Sequence, residues 1–133
     1  MSTVSTKKDI ALLLIRVTIG LTMLIFHGLP KLMGGAEKWE KIGLSMGNLG
    51  IDFFPAIWGF CAAIVESLGA LFIALGLWTR PNSILLAFTM LIATISHLTV
   101  GDGFNVASHA IELMAVFIAL FLMGPGKYSV DKR

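Results

Sequence analysis

Four long apolar runs constrain the fold of this chain more than any other feature of its sequence. They cover about residues 10–29, 54–78, 83–100 and 104–123, and each is apolar around its whole circumference. Twenty helical residues at about 1.5 Å each span about 30 Å, which is the thickness of the hydrocarbon core of a bilayer. A helix that is apolar on every side is typical of a membrane span rather than of a surface helix. The runs therefore predict four transmembrane helices.

The composition supports a membrane protein and argues against several other classes. Hydrophobic residues make up 56% of the 133 residues and charged residues only 14%, whereas soluble domains carry about a quarter charged residues. The net charge of +2 gives no case for nucleic-acid binding, because the basic residues lie singly or in pairs beside the apolar runs. The single cysteine, Cys61, allows neither an intrachain disulfide nor a CxxC motif. Thiol–disulfide chemistry within this chain is therefore not expected.

Short connections and an uneven distribution of charge predict how the spans are arranged. Glycine and proline separate the runs, and few residues join the second run to the third or the third to the fourth. We expect an all-α, membrane-embedded, antiparallel four-helix bundle that forms one domain over residues 1–133. Most lysines and arginines fall on the side that carries both chain ends and the Arg80 turn. The positive-inside rule then predicts cytoplasmic termini and a first loop, 31–53, on the outer side.

The loop 31–53 is the one sizeable segment outside the predicted spans. Trp39, Ile42 and Met46 fall at helical spacing within it, which suits a short helix lying in the outer interface. An irregular loop anchored by Trp39 is the alternative. A lid over a functional site is a more specific form of the helical hypothesis.

Small residues recur along the second run at steps of four, at Gly59, Ala63 and Ser67. Helices associate in lipid largely through close packing of such residues. This stripe therefore predicts either close packing inside the bundle or a face through which two copies form a homo-oligomer. The spacing alone does not separate these alternatives.

Ionisable side chains inside the predicted spans are the candidates for function, because burying a charge in a membrane is costly. Trp58 and Trp78 suit the two interfaces of the second span, which places Glu66 about 12 Å below the outer edge. Arg16 lies about 9 Å from the inner edge, and a long arginine side chain bridges much of the remaining height. A buried Arg16–Glu66 ion pair is the simplest expectation. The candidate polar pocket comprises Arg16, His27, Glu66, His97, His109 and Glu112.

The other four candidates, His27, His97, His109 and Glu112, cluster toward the outer half of the bundle, and three interpretations of them stay open. The first is a polar network around a few waters. The second is a pocket for a quinone or another small molecule, in which histidine donates or accepts a proton. The third, weaker interpretation is a metal site built from all four. Di-iron helical bundles bind their metals through Glu-x-x-His motifs on facing helices. Here the motif has the reverse order, His109-x-x-Glu112, and occurs once. The residues identify no catalytic group, and no cofactor beyond the possibility of a quinone.

An ordered set of short motifs resembles the DoxX family of small bacterial membrane proteins over nearly the whole chain. The motifs are Arg16 with Gly20, His27-Gly28-x-x-Lys31, Glu66-x-x-Gly69, Leu75-Gly76-Leu77-x-Thr79-Arg80, Met90 with Ala93 and His97, Glu112, and Gly124-Pro125-Gly126-Lys127-Tyr128-Ser129-Val130-Asp131. The resemblance implies a four-helix protein of the bacterial inner membrane. It also implies redox work beside a partner protein, since relatives include a quinone-reducing thiosulfate dehydrogenase subunit and assemblies that handle oxidative or thiol stress.

Three functions follow as hypotheses for a protein embedded in the lipid bilayer. The first is a redox component, such as an oxidoreductase subunit, that exchanges electrons with quinone through the polar pocket. The second is a non-catalytic scaffold or assembly partner of a separate enzyme. The third is a small transporter, which is less favoured because the chain shows no internal inverted repeat. Under each of them we expect any chemistry to open toward the outer side, beneath the loop 31–53.

Overall fold

The computed structural model describes residues 2–131, and within them every regular element is helical. Met1, Lys132 and Arg133 lie outside the described residues. Four helices are long and apolar enough to cross a membrane, which confirms the predicted spans. They are span 1 (Thr3–Met33), span 2 (Pro55–Leu75), span 3 (Thr79–Thr99) and span 4 (Phe104–Met123).

Two of the boundaries differ from the predicted ones for identifiable reasons. Span 1 starts earlier than its apolar run, because the Ser2 hydroxyl accepts a hydrogen bond from the Ser5 amide and caps the helix. Span 3 starts at Thr79 rather than residue 83, so that Pro81 lies in its first turn, where proline fits a helix. The turn between spans 2 and 3 is therefore very short, and Gly76 at φ 71° makes it.

Spans 1 and 2 pack closely and run in opposite directions. A Cβ atom at Gly20 would lie 2.7 Å from the Ala70 carbonyl oxygen, and one at Gly28 would overlap the backbone of Glu66. The residue numbers rise along one helix as they fall along the other. Each helix widens to a π-helical turn at the second contact, over Leu24–Gly28 and Val65–Gly69. Such turns are frequent at functional sites, and these two bring His27 level with Glu66.

The inner faces of the spans form a common core, whereas their outer faces are apolar and exposed. Leu12, Ile73, Leu86 and Phe117 are buried in this core. Large apolar side chains on the outside of every span remain exposed, as at Leu14, Phe60, Phe88 and Leu122. An apolar surface that surrounds the whole bundle suits contact with lipid tails rather than water.

The segment between spans 1 and 2 contains the helix predicted there. It forms a helix over Ala36–Gly43 and a 3-10 turn over Leu44–Leu49, together called the covering segment below. The Trp39 indole donates to the Lys31 carbonyl at 2.9 Å and packs edge-on against Phe60 at 4.9 Å between ring centroids. These contacts hold the covering segment against span 2.

The small-residue stripe of span 2 is used inside the chain, so the predicted homo-oligomer face through Gly59, Ala63 and Ser67 is wrong. A Cβ atom at Gly59 would overlap the backbone of Trp39, so the covering segment lies directly on this position. Ala63 and Ser67 are both buried, and Ser67 packs against Gly28 of span 1. The stripe allows close approach within the bundle, which was the other alternative.

The residues after span 4 fold back across the end of the bundle where the chain begins, called the terminal end below. The Val130 amide donates to Leu75 O at 3.1 Å, and the Asp131 amide donates to Gly76 O at 2.8 Å. The Asp131 carboxylate accepts from the Trp78 amide at 2.8 Å and the Thr79 amide at 2.9 Å. This carboxylate therefore caps the first turn of span 3 and favourably meets the positive end of its dipole.

This cap predicts a pH-dependent contribution to stability. Burial opposes ionisation of Asp131, but the Thr79 and Trp78 amides and the Arg16 charge outweigh it, so the pKa of this carboxyl lies below its usual range. We expect Asp131→Asn to lower the free energy of unfolding by about 1 kcal/mol at neutral pH. Because the folded pKa lies below the unfolded one, the contribution is present above the unfolded pKa of about 4 and is lost as the pH falls through the folded value.

Equilibrium unfolding of the two proteins in detergent, at about pH 7 and about pH 3, measures this contribution. The difference between wild type and Asp131→Asn should be smaller in acid. An equal difference at both pH values would show that the ionised carboxylate is not the group that caps span 3.

Candidate functional site

Arg16 belongs to the terminal end of the bundle and not to a pocket. The side chain is buried, and its guanidinium donates to the carbonyl oxygens of Ile73 at 3.2 Å, Tyr128 at 2.7 Å and Pro125. These contacts join span 1 to span 2 and to the residues after span 4. Arg16 therefore holds the terminal end together.

The predicted Arg16–Glu66 ion pair is wrong. Glu66 lies beside Gly28, and Gly28 is twelve residues beyond Arg16 on span 1, a rise of about 18 Å. That distance exceeds the reach of an arginine side chain. The sequence estimate understated the separation because it measured the two depths from separately assumed membrane edges, whereas the contacts of Gly20 with Ala70 and of Gly28 with Glu66 fix the register of the two helices.

The partner of Glu66 is Lys31, which the sequence analysis counted only as part of a motif. The Lys31 ammonium lies 2.5 Å from Glu66 Oε2. The Glu66 side chain is 2% exposed and the Lys31 side chain 28%, so the carboxylate is enclosed and the lysine remains partly accessible. The signal that pointed to this pair was the spacing His27-Gly28-x-x-Lys31, which places Lys31 one turn after the π-helical turn that contacts Glu66.

A cavity of about 370 Å³ lies between spans 2 and 3, beneath the covering segment. This volume falls within the range of pockets that take small organic molecules. The covering segment contributes Ile42 and Met46, and the spans contribute mainly apolar side chains such as Val65 and Ile92. The polar side chains that line the cavity are Lys31, Ser45, Glu66, Thr89, Ser96 and His97.

The cavity opens sideways toward the lipid-facing surface of the bundle. Leu85, Phe88 and Cys61 line it and are also exposed on the outside of spans 2 and 3. An apolar molecule dissolved in the bilayer therefore has a lateral route to the Lys31–Glu66 pair. The Cys61 thiol lies in the wall of this route, where it acts as a small apolar side chain.

His97 lies at the loop end of the cavity, in the last turn of span 3. Its Nδ1 atom is 2.8 Å from Asp102 Oδ2, and both side chains are partly exposed. A carboxylate at Nδ1 favours a proton on that nitrogen and leaves Nε2 free to accept one. One residue earlier, the Ser96 hydroxyl lies 3.3 Å from the Ser45 hydroxyl and ties the covering segment to span 3.

The remaining candidates do not line the cavity. His27 is half-buried, and its ring stacks on the His109 ring with centroids 5.5 Å apart and planes 29° apart. His109 and Glu112 are both exposed on the outer face of span 4. Arg16 thus lies at the terminal end, Glu66 and His97 line the cavity, and His27 of span 1 contacts His109, which shares the outer face of span 4 with Glu112.

The four residues of the metal hypothesis are not gathered at one point. His27 lies beside His109, whereas His97 lies beside Asp102 on span 3. Within residues 2–131, no group of three histidine, cysteine, aspartate or glutamate side chains is arranged to hold a metal ion.

Four apolar helices, a covering segment and an ion pair inside the bundle define a small multi-pass membrane protein. The DoxX family model matches residues 11–100, so the chain belongs to the DoxX family. It is similar to the inner membrane protein YphA of Escherichia coli (strain K12), with 31% identity over 134 residues, covering 95% of this chain and 91% of that protein. No solved structure matches the chain. The protein is therefore a DoxX-family protein of the inner membrane.

Proposed function

We propose that this chain is a redox-associated component of the inner membrane whose cavity binds a quinone or a similar small molecule. The observation that carries the proposal is the Lys31–Glu66 ion pair in the wall of a lipid-facing, mainly apolar cavity. An ionisable pair inside a membrane is a functional-site hypothesis by default, and here it adjoins space for a ligand.

The chemistry of the cavity matches the two parts of a quinone. The quinone head carries carbonyl oxygens that accept hydrogen bonds, and the Lys31 ammonium is a donor that is partly exposed within the cavity wall. The isoprenoid tail is apolar and fits the lateral opening beside Leu85 and Phe88. The quinone ring would contact the polar part of the cavity, and the tail would contact the apolar part.

Proton exchange is the second requirement of quinone chemistry, since reduction to a quinol takes up two electrons and two protons. Glu66 and His97 both line the cavity, and carboxyl and imidazole groups are common general acids and bases in proteins. The electrons come from a separate redox protein, which is the partner that the proposal requires. In this scheme the chain binds the quinone and handles its protons.

The proposal includes an orientation, with both termini in the cytoplasm and the cavity toward the outer leaflet. Four basic residues surround the terminal end, namely Lys7, Lys8, Arg80 and Lys127. At the opposite end, Lys31 is engaged by Glu66, which leaves Lys38 and Lys41 in the covering segment. This excess supports a cytoplasmic terminal end by the positive-inside rule.

Titration of the protein in nanodiscs with a short-chain ubiquinone analogue tests the proposal. We expect saturable binding that weakens about tenfold in Glu66→Gln and in His97→Ala, which is the loss of one hydrogen-bonding group. Thr18→Ala, on the exposed face of span 1, is the matched control and should bind as wild type. No binding to the wild type would refute the proposal, and stable co-purification with an enzyme in that case is what the scaffold hypothesis predicts.

A further inference from the structure

The outer face of span 4 carries a stripe of five residues that are all exposed, at Asn105, His109, Glu112, Ala115 and Ala119. Their spacings of three and four residues place them along one side of the helix. The stripe is separate from the cavity, because none of its residues lines that space. It consists of polar residues in its first half and small residues in its second.

Glu112 is the residue of this stripe whose exposure to lipid costs the most free energy, because its side chain is ionisable. It lies eight residues after Phe104, or about 12 Å along the axis of the span, which is well inside the apolar region. Its carboxylate makes no hydrogen bond or ion pair with any of residues 2–131. Ionisable groups at such depth almost always face protein or water and are paired, so this face needs a cover.

We propose that the cover is a second copy of this chain, and that span 4 forms a symmetric dimer interface along the stripe. In a two-fold interface each residue meets the equivalent face of the partner. Two copies with the same orientation are related by a two-fold axis along the membrane normal, so equivalent residues lie at the same depth. His109 and Glu112 differ in depth by about 4.5 Å, a height that the two side chains bridge between the copies. The face is therefore complementary to itself in hydrogen bonding, since an imidazole N–H donates to a carboxylate.

The second half of the stripe supports the same contact by its shape. Ala115 and Ala119 are four residues apart and exposed, which is the small-x-x-x-small spacing that lets two membrane helices approach closely. In membranes, small residues let two helices approach closely, and polar residues form hydrogen bonds between them. This exposed face carries both kinds of residue. A lipid headgroup is a poor alternative occupant, because Glu112 lies too deep for it. The inference is independent of the proposed quinone function.

Disulfide cross-linking in native membranes tests the dimer. In a Cys61→Ala background, we expect Ala115→Cys and Ala119→Cys to give a cross-linked species of twice the chain mass on mild oxidation. Ala11→Cys is the matched control, since Ala11 is an exposed alanine on span 1, outside the stripe. It should remain monomeric under the same conditions.

A second variant tests the role of the glutamate. Glu112→Leu should weaken dimerisation in nanodiscs or micelles by about three- to thirtyfold, the effect of one interhelical hydrogen bond in a membrane. Absence of cross-linking at both stripe positions would overturn the proposal. So would a cross-linked product that contains a different protein, equal cross-linking at Ala11→Cys, or unchanged dimerisation of a folded Glu112→Leu protein.

Discussion

Replacing Arg16 by methionine is expected to lower the free energy of unfolding by about 4 kcal/mol. The guanidinium donates to the carbonyl oxygens of Ile73, Pro125 and Tyr128, and the side chain is buried. Methionine has a similar length but no donor, so it leaves these carbonyls without their shared partner in an apolar surrounding. Reversible unfolding in mixed micelles of mild detergent and dodecyl sulfate measures the loss.

Arg16→Lys is the matched variant, because it keeps the charge but not the planar fork of donors. One ammonium cannot reproduce the geometry of the three contacts, so an intermediate loss is expected. Limited proteolysis provides a second readout, since the residues after span 4 lose an anchor and should be cut faster in Arg16→Met. Stability of Arg16→Met within about 1 kcal/mol of wild type would contradict this role.

The second large effect is expected at the Lys31–Glu66 pair. Lys31→Met leaves the buried Glu66 carboxylate without its cation, which should cost about 3 kcal/mol of unfolding free energy. Glu66→Gln should be milder, because a neutral amide is cheaper to bury and Lys31 is partly exposed. The double variant Lys31→Met with Glu66→Gln should recover much of the loss, since it removes both charges.

A double-mutant cycle on these variants measures the coupling between the two side chains. Lys38→Met is the matched control, because Lys38 is an exposed lysine of the covering segment. Additive effects of Lys31→Met and Glu66→Gln would mean that the two groups are not paired in the membrane. A Lys31→Met protein that is destabilised but still binds quinone normally would separate the structural role of the pair from the proposed ligand site.

The spans were predictable because length and apolar character follow from the thickness of the bilayer and need no tertiary information. Which face of each span packs against protein and which contacts lipid was not predictable. Glu112 was assigned to a pocket because it lies inside a span, yet it is exposed on the outer face. A helix that is apolar all round gives no periodic signal to separate the face toward protein from the face toward lipid.

The pairing of charges was also beyond the sequence, for a geometric reason. Depth estimates that assume regular helices starting at the apolar runs brought Arg16 and Glu66 together. The register of spans 1 and 2, set by the contact of Gly28 with Glu66 at the two facing π-helical turns, places them apart and brings Lys31 to Glu66 instead. A cavity lies beneath the loop 31–53, and of the six candidates only Glu66 and His97 line it.

Covalent labelling with a photoreactive quinone tests the central proposal most directly, because it reports where the molecule binds. The account predicts labelled peptides from segments 58–65 and 85–97, which line the cavity on spans 2 and 3. An excess of unlabelled quinone should suppress this labelling, and Glu66→Gln should reduce it. Labelling that is confined to the outer face of span 4, or that no excess of quinone suppresses, would contradict a quinone site in the cavity.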